Sequence, residues 1–140
     1  MLDYFLTEEQ KEIKTLARQV AEEKIVPLRE MYDRENKFCW ELISVFAETG
    51  LTSVYLPKEY GGLGGGLFEL VLVVEELSRA CAGIALSVAA TGLGVTPIVM
   101  FGNDDQKRKY IPDIAAGKKL AAFSITEPSS GSDIGYIQTK

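Results

Sequence analysis

Residues 121–133 read Ala-Ala-Phe-Ser-Ile-Thr-Glu-Pro-Ser-Ser-Gly-Ser-Asp, and the pattern of the chain changes at this stretch. The residues before it read as helix, whereas residues 120–126 read as a strand that runs up to Pro128, because a proline holds the preceding residue extended. The loop that follows offers three serine hydroxyls, and Gly131 permits a positive φ that would aim backbone N–H groups into an anion-receptive nest. The residues alone leave two interpretations open: an ordinary turn, or a loop that binds a phosphate or an acceptor-rich heteroaromatic edge.

Composition excludes several classes of function. The net charge of −5 argues against a nucleic-acid partner, since phosphate contacts need a clustered basic face. The chain has no histidine, which removes Ser-His triads, Cys-His dyads and His-ligated metals. Cys39 and Cys81 do not form a C-x-x-C motif, so we expect buried thiols and neither a zinc site nor a redox pair.

The N-terminal residues carry no basic region before Glu8, which favours a cytoplasmic protein over a secreted or imported one. Residues 80–101 carry no charge and are long enough to span a bilayer. Glycine, serine and threonine dilute their hydrophobicity, so we expect a helix buried among other helices and no membrane association. Its small residues would admit either a neighbouring backbone or a slim acyl chain, and both readings stay open.

Capping and stop signals divide the remaining chain into helices. Thr7 and Gln10 form a capping box before an amphipathic helix that Pro27 should kink or end. Helices are further predicted over residues 40–49, which Gly50 stops, over residues 67–80, and from Asn103 to a stop at Gly117. Residues 51–56 are β-rich and predict a short extended segment.

Two further patterns each allow two interpretations. The glycine-rich residues 60–66 lack the G-x-G-x-x-G spacing, which favours a loop whose backbone passes close to a neighbour over a dinucleotide site. Glu75 and Glu76 resemble an acid–base pair, but adjacent helical residues point in different directions. Because Glu75 precedes Arg79 by four residues, a surface ion pair between them is the favoured interpretation.

Three blocks resemble the acyl-CoA dehydrogenase family in order and spacing. Residues 123–133 resemble its flavin signature Thr-Glu-Pro-x-x-Gly-Ser-Asp, residues 102–112 resemble its Gly-x-x-x-Gln-Lys-x-x-Tyr-Leu-Pro segment, and residues 56–64 are similar to a third family stretch. The resemblance implies an all-α fold, the N-terminal helical bundle of that family over residues 1–118. Residues 119–140 would begin a truncated β-domain with its first strand or strands, and the family's remaining β-domain and C-terminal helical domain would lie beyond Lys140.

The resemblance also implies a chemistry. Family members bind FAD, remove the α-proton of an acyl-CoA thioester with a carboxylate and pass a hydride from the β-carbon to the flavin. By motif position, the residues that would contact FAD are Phe123, Ile125, Thr126, Gly131 and Ser132, and Ser132 would also contact the acyl-CoA. Ser130 stands where the family has most often alanine or another small residue.

The family's catalytic glutamate belongs to a C-terminal region, so no catalytic residue is assigned and the chain alone is expected to be inactive. The implied partners are acyl-CoA as substrate, electron-transfer flavoprotein as electron acceptor and a second copy of the chain in a homo-oligomer. An alternative reading is a non-catalytic helical module of this fold that binds acyl-CoA or a partner subunit.

Overall fold

The computed structural model describes residues 2–139, and this part of the chain is helical. Its α-helices are α1 (Glu8–Val20), α2 (Arg29–Glu35), α3 (Trp40–Glu48), α4 (Leu67–Ala80), α5 (Ala82–Phe101) and α6 (Asp104–Ala115). Short 3₁₀ turns lie at Leu2–Phe5, Lys58–Tyr60 and Ile134–Tyr136. The predicted all-α bundle is therefore confirmed.

The first helix begins where the sequence predicts, and a π-helical turn carries the helical path close to the predicted break at Pro27. The backbone N–H of Gln10 donates to Thr7 Oγ1 at 3.2 Å, and the backbone N–H of Thr7 donates to Gln10 Oε1 at 3.0 Å, which completes the capping box. After α1 the chain passes through a π-helical turn, Ala21–Ile25, and leaves the helical path around Pro27 before α2 begins. Ala21 and Ile25 are buried, so this turn belongs to the core.

The helices α4 and α5 form the centre of the bundle. The observed bounds of α4 are the predicted ones, and α4 packs against α1 on one side and α5 on the other, while α6 packs on α5. The predicted stops after α3 and α6 are also confirmed, because Gly50 and Gly117 adopt φ angles of 77° and 66° that favour glycine. The largest fully buried side chains of the core include Phe46, Leu42, Ile43, Leu77 and Ile111.

The β prediction for residues 51–56 is wrong, because these residues form a succession of turns. They are buried throughout, and the glycine-rich loop supplies their hydrogen-bond partners: Gly64 N–H donates to Leu56 O at 2.8 Å and Gly65 N–H to Val54 O at 2.9 Å. The close approach predicted for this loop is confirmed. A Cβ on Gly62 would lie 2.1 Å from the carbonyl oxygen of Leu56.

Helix α5 is long and apolar enough to cross a membrane by length and composition, with a mean hydropathy of 1.9 over its most apolar 18 residues. Only 33% of that window is buried. The buried residues face α4 and the core, whereas Leu86, Leu93 and Met100 are exposed at helical spacing on another face. The prediction of a helix buried among others holds for one side of α5 and is wrong for the other.

The strand predicted over residues 120–126 does not form in the described chain. A strand needs a neighbour to receive its backbone hydrogen bonds, and no described segment lies beside it as one. The chain instead crosses α5, where Leu120 and Ala121 pack against the core. Gly94 permits this crossing, because a Cβ there would lie 2.8 Å from the carbonyl carbon of Ala121.

The Tyr55 hydroxyl is buried and has no hydrogen-bond partner among the described residues. Burial raises the pKa of Tyr55 and keeps it neutral. Because a buried unpaired hydroxyl costs free energy, we expect Tyr55→Phe to raise the free energy of unfolding by about 1 kcal/mol in urea denaturation. Tyr32→Phe is the control, since that hydroxyl has Glu41 as a partner at 3.4 Å. A loss of stability in Tyr55→Phe would show that the hydroxyl is paired in solution.

Candidate functional site

The segment that carries the flavin-like signature leaves the bundle at α5 and turns its side chains outward. After Ala121, which lies against Gly94, the side chains of Phe123 and Ile125 are 45% and 40% exposed. Thr126, at the end of this segment, is exposed as well. Two large apolar side chains and a hydroxyl are thus presented on the surface beside the central helix.

A tight turn follows the extended segment. Glu127 N–H donates to Ser130 O at 2.8 Å, and Ser130 N–H donates to Glu127 O at 3.1 Å, so Pro128 and Ser129 occupy the corner. Ser130 is buried, and its hydroxyl donates to the carbonyl oxygen of Asp133 at 2.7 Å. Ser130 therefore has a structural role within the turn.

Of the two interpretations left open for this loop, the anion-receptive nest at Gly131 is not formed, because Gly131 is not among the glycines with positive φ. Hydrogen bonds between Glu127, Ser130 and Asp133 set the path of the loop instead. A Cβ on Gly131 would meet nothing within 4 Å, and both Gly131 and Ser132 are exposed. The loop therefore leaves open space where a ligand could approach its backbone.

An exposed apolar surface on α5 lies next to this segment. Leu86 and Leu93 are 61% and 56% exposed, and the half-buried Ala89 and Ala90 lie between them on the helix. Leu93 directly precedes Gly94, where the chain crosses. The site residues predicted from the sequence, Phe123, Ile125, Thr126, Gly131 and Ser132, thus lie on the segment that continues from the crossing at Gly94, where Ala121 approaches α5. We call α5 residues 86–93 and residues 121–133 together the α5 surface.

The paired glutamates of α4 have a different role from the one predicted. Arg79 pairs with Glu76 at 3.2 Å, so the ion pair predicted for Glu75 is wrong. Glu76 is 2% exposed and receives two hydrogen bonds of 2.9 Å from the guanidinium of Arg18 in α1. These bonds hold the pKa of Glu76 below its ordinary value although burial acts in the opposite direction. An ionised, fully engaged carboxylate of this kind stabilises the fold and is not free to act as a base.

The two cysteines line one cleft, together with Tyr32, Phe38 and Ile84. Both are free thiols; Cys39 is buried, and burial raises its pKa. Residues 2–139 contain no group of three side chains that could hold a metal ion. The expectation of a buried thiol is confirmed for Cys39, whereas Cys81 is only half-buried.

A family model described as "Acyl-CoA dehydrogenase, N-terminal domain" matches residues 7–118. The chain belongs to this family.

Known proteins similar to the chain agree with this assignment. An acyl-CoA dehydrogenase of Bacillus subtilis (strain 168) is 40% identical over 96% of the chain, which covers 36% of that protein. The chain thus spans about a third of the length of the curated relatives it matches.

Solved structures similar to the chain include butyryl-CoA dehydrogenase from Megasphaera elsdenii, with a TM-score of 0.86 and 36% identity over 96% of the chain and 36% of that protein. A structure of the electron transferring flavoprotein of Acidaminococcus fermentans gives a TM-score of 0.87 and 39% identity over 94% and 35% of the two chains. An acyl-CoA dehydrogenase from Bacillus anthracis, solved in complex with FAD, gives a TM-score of 0.79 and 37% identity. The match covers 92% of the chain and 22% of that protein.

Proposed function

We propose that the chain is the N-terminal portion of a FAD-dependent acyl-CoA dehydrogenase, which introduces an α,β-double bond into acyl-CoA thioesters in fatty-acid or amino-acid catabolism. The observation that carries this proposal is the α5 surface, which combines exposed apolar side chains, a hydroxyl and an open glycine loop. A flavin needs such a combination, because its ring system is apolar on its faces and polar along its edges. The FAD complex of the similar Bacillus anthracis protein supports this choice of cofactor.

Each residue of the segment has a role in this proposal. Phe123 and Ile125 would cover an apolar part of the flavin and exclude water, and Thr126 would hydrogen-bond its polar edge. Gly131 and Ser132 would hold the cofactor through the loop, and Ser132 would also contact the thiol arm of acyl-CoA. Bound FAD would supply the hydride acceptor of the reaction.

The α5 surface also suits an acyl chain. The small side chains of Ala89 and Ala90 stand between Leu86 and Leu93 on the helix, and an alkyl chain buried against this apolar face would gain about 0.8 kcal/mol per methylene group. In the complete protein we place the acyl tail along this side of α5.

No described carboxylate of the chain is proposed as the catalytic base. Glu76 is held by Arg18, and the carboxylate of Glu127 accepts hydrogen bonds from residues 138 and 139. The base would come from the part of the relatives' length that this chain does not cover, so we expect no acyl-CoA dehydrogenation by the chain alone. We further propose that electron-transfer flavoprotein accepts the electrons and that the protein is a cytoplasmic homo-oligomer. Neither a nucleic acid nor a membrane is proposed as a partner.

Equilibrium dialysis of FAD against the 140-residue chain tests the proposal, because it measures the affinity of the chain for FAD. We expect the chain to bind FAD, and Thr126→Val to weaken binding about threefold to tenfold, because one hydrogen bond between neutral groups is lost. Ser124→Ala removes a hydroxyl from the same exposed segment and is the matched control, which should bind like the wild type.

Equal affinities of Thr126→Val, Ser124→Ala and the wild type would contradict the proposed flavin contact. A wild-type chain that binds acyl-CoA and no FAD would instead support the alternative, a non-catalytic helical module of this fold.

A further inference from the structure

The carboxylate of Glu127 accepts hydrogen bonds from Gln138 and Thr139, which follow it by eleven and twelve residues. Its Oε2 accepts a hydrogen bond of 2.9 Å from the backbone N–H of Gln138. Its Oε1 accepts one of 3.0 Å from the backbone N–H of Thr139, and the Thr139 hydroxyl donates to the same oxygen. Hydrogen bonds to an ionised acceptor are stronger than those between neutral groups, so this contact closes the intervening segment into a loop.

The closed loop contains the residues that the proposed function assigns to cofactor and substrate. Gly131 and Ser132 lie between the two ends and are exposed, and a Cβ on Gly131 would meet nothing within 4 Å. Inside the loop, Ser130 bonds to Asp133, and the Asp133 carboxylate accepts from Gly135 N–H at 3.1 Å. These inner bonds are local, spanning three residues or fewer. Only the Glu127 contacts tie the far end of the loop to its beginning within the described chain.

Extended β pairing does not fix the loop, because residues 120–126 form no strand and the paired backbone is confined to Glu127 and Ser130. The Glu127 carboxylate at the base of the loop therefore provides hydrogen-bond acceptors that a neighbouring strand would otherwise provide.

We propose that Glu127 is a positioning residue that latches the loop at Gln138 and Thr139 and thereby holds Gly131 and Ser132 in place for the flavin and acyl-CoA. The flavin and acyl-CoA part of this inference rests on the proposed function; the latch itself does not. Glu127 touches neither ligand in this account and acts through the loop.

The ionisation of Glu127 provides a direct reporter of the latch. The backbone N–H of Gln138, followed by the Thr139 hydroxyl and N–H, lowers the pKa of Glu127. A carboxylate with a lowered native pKa contributes stability above its ordinary pKa of about 4.3 and loses it as the pH falls through the native value. The other charged side chains of residues 119–139 are Asp133, in the same loop, and Lys119, which pairs with Asp113 at 2.7 Å.

The experiment is NMR of the 140-residue chain, comparing the wild type with Glu127→Gln and with Asp133→Asn, a control that removes the other carboxylate of the loop and keeps an acceptor for Gly135. In the wild type and in Asp133→Asn, the amide signals of Gln138 and Thr139 are expected to titrate with a midpoint below about 4.3. In Glu127→Gln the titration disappears, amide protection at both residues falls about tenfold, and Gly131 and Ser132 become mobile on the ps–ns timescale. Thr139→Val, which removes one of the three donors, should give a smaller change in the same direction.

FAD binding separates the two claims. We expect Glu127→Gln to bind FAD about tenfold more weakly than the wild type. If the amides titrate unchanged in Glu127→Gln, or Gly131 and Ser132 keep their order, the latch is overturned while wild-type FAD binding still supports the proposed function. If the loop is loosened and FAD affinity is unchanged, the positioning role is overturned. If the wild type binds no FAD but the loop loosens as expected, the latch stands and the proposed function fails.

Discussion

Arg18→Met is expected to lower the free energy of unfolding by about 2 kcal/mol, because it removes the two hydrogen bonds that the guanidinium donates to the buried carboxylate of Glu76. Arg79 and Lys14 remain near that carboxylate, at 3.2 and 3.8 Å, but both contacts are weaker in geometry than the two 2.9 Å bonds from Arg18. The contact joins α1 to α4, so its loss loosens the packing of the first helix on the bundle. Urea denaturation monitored by circular dichroism measures the effect.

Two controls isolate the burial of the charge as the cause. Lys11→Met removes an ion pair with Glu8, which is 86% exposed, and should cost less than about 1 kcal/mol. The double variant Arg18→Met/Glu76→Leu should recover much of the lost stability, because no buried charge is left unpaired. If Arg18→Met costs no more than Lys11→Met, the network does not stabilise the fold as we describe.

The same ion pair predicts an acid sensitivity. Since the pKa of Glu76 is lowered in the folded chain, its contribution is present above the ordinary glutamate pKa of about 4.3 and is lost as the pH falls through the lowered value. Arg18→Met removes the first cause of that lowered pKa, so the variant should lose less stability than the wild type over the same acid range.

Gly62→Ala is expected to lower the free energy of unfolding by about 3 kcal/mol, because its new Cβ would overlap the backbone of Leu56. The nearest atom, Leu56 O at 2.1 Å, already accepts the hydrogen bond from Gly64, so the overlap can be relieved only by moving paired backbone. Urea or thermal denaturation measures the loss.

Gly131→Ala is the matched control for this substitution. Its Cβ meets nothing within 4 Å, so the stability should change by less than about 0.5 kcal/mol. In the proposed function the added methyl group would instead hinder a ligand at the loop. Equal stability of Gly62→Ala and Gly131→Ala would show that the glycine-rich loop is not held against residues 51–56.

Local signals in the sequence were sufficient to predict most helices. A capping box is complete within four residues, so Thr7 with Gln10 and Asn103 with Gln106 could be identified without knowledge of the fold. The start of α4 followed from the end of the glycine-rich loop, after which apolar residues dominate the segment.

Long-range contacts were not predictable in the same way. Whether Glu75 or Glu76 is engaged depends on which side of α4 faces α1, and Arg18 lies 58 residues before its partner. Residues 51–56 and 120–126 have the composition of strands. A strand also requires a neighbouring strand. Residues 51–56 have the glycine-rich loop beside them instead, and the segment from residue 120 has α5. The flavin-like motif predicted the candidate site, whereas the exposed apolar face of α5 became visible only in the structure.

The central claim is that the α5 surface holds a flavin, and NMR mapping of FAD on the isotopically labelled 140-residue chain tests it most directly. We predict that FAD shifts the amide signals of residues 121–133 and of the exposed α5 residues around Leu93, and leaves those around the Arg18 and Glu76 ion pair unchanged. Shifts confined to other surfaces, or none at any FAD concentration with the fold intact, would contradict the account.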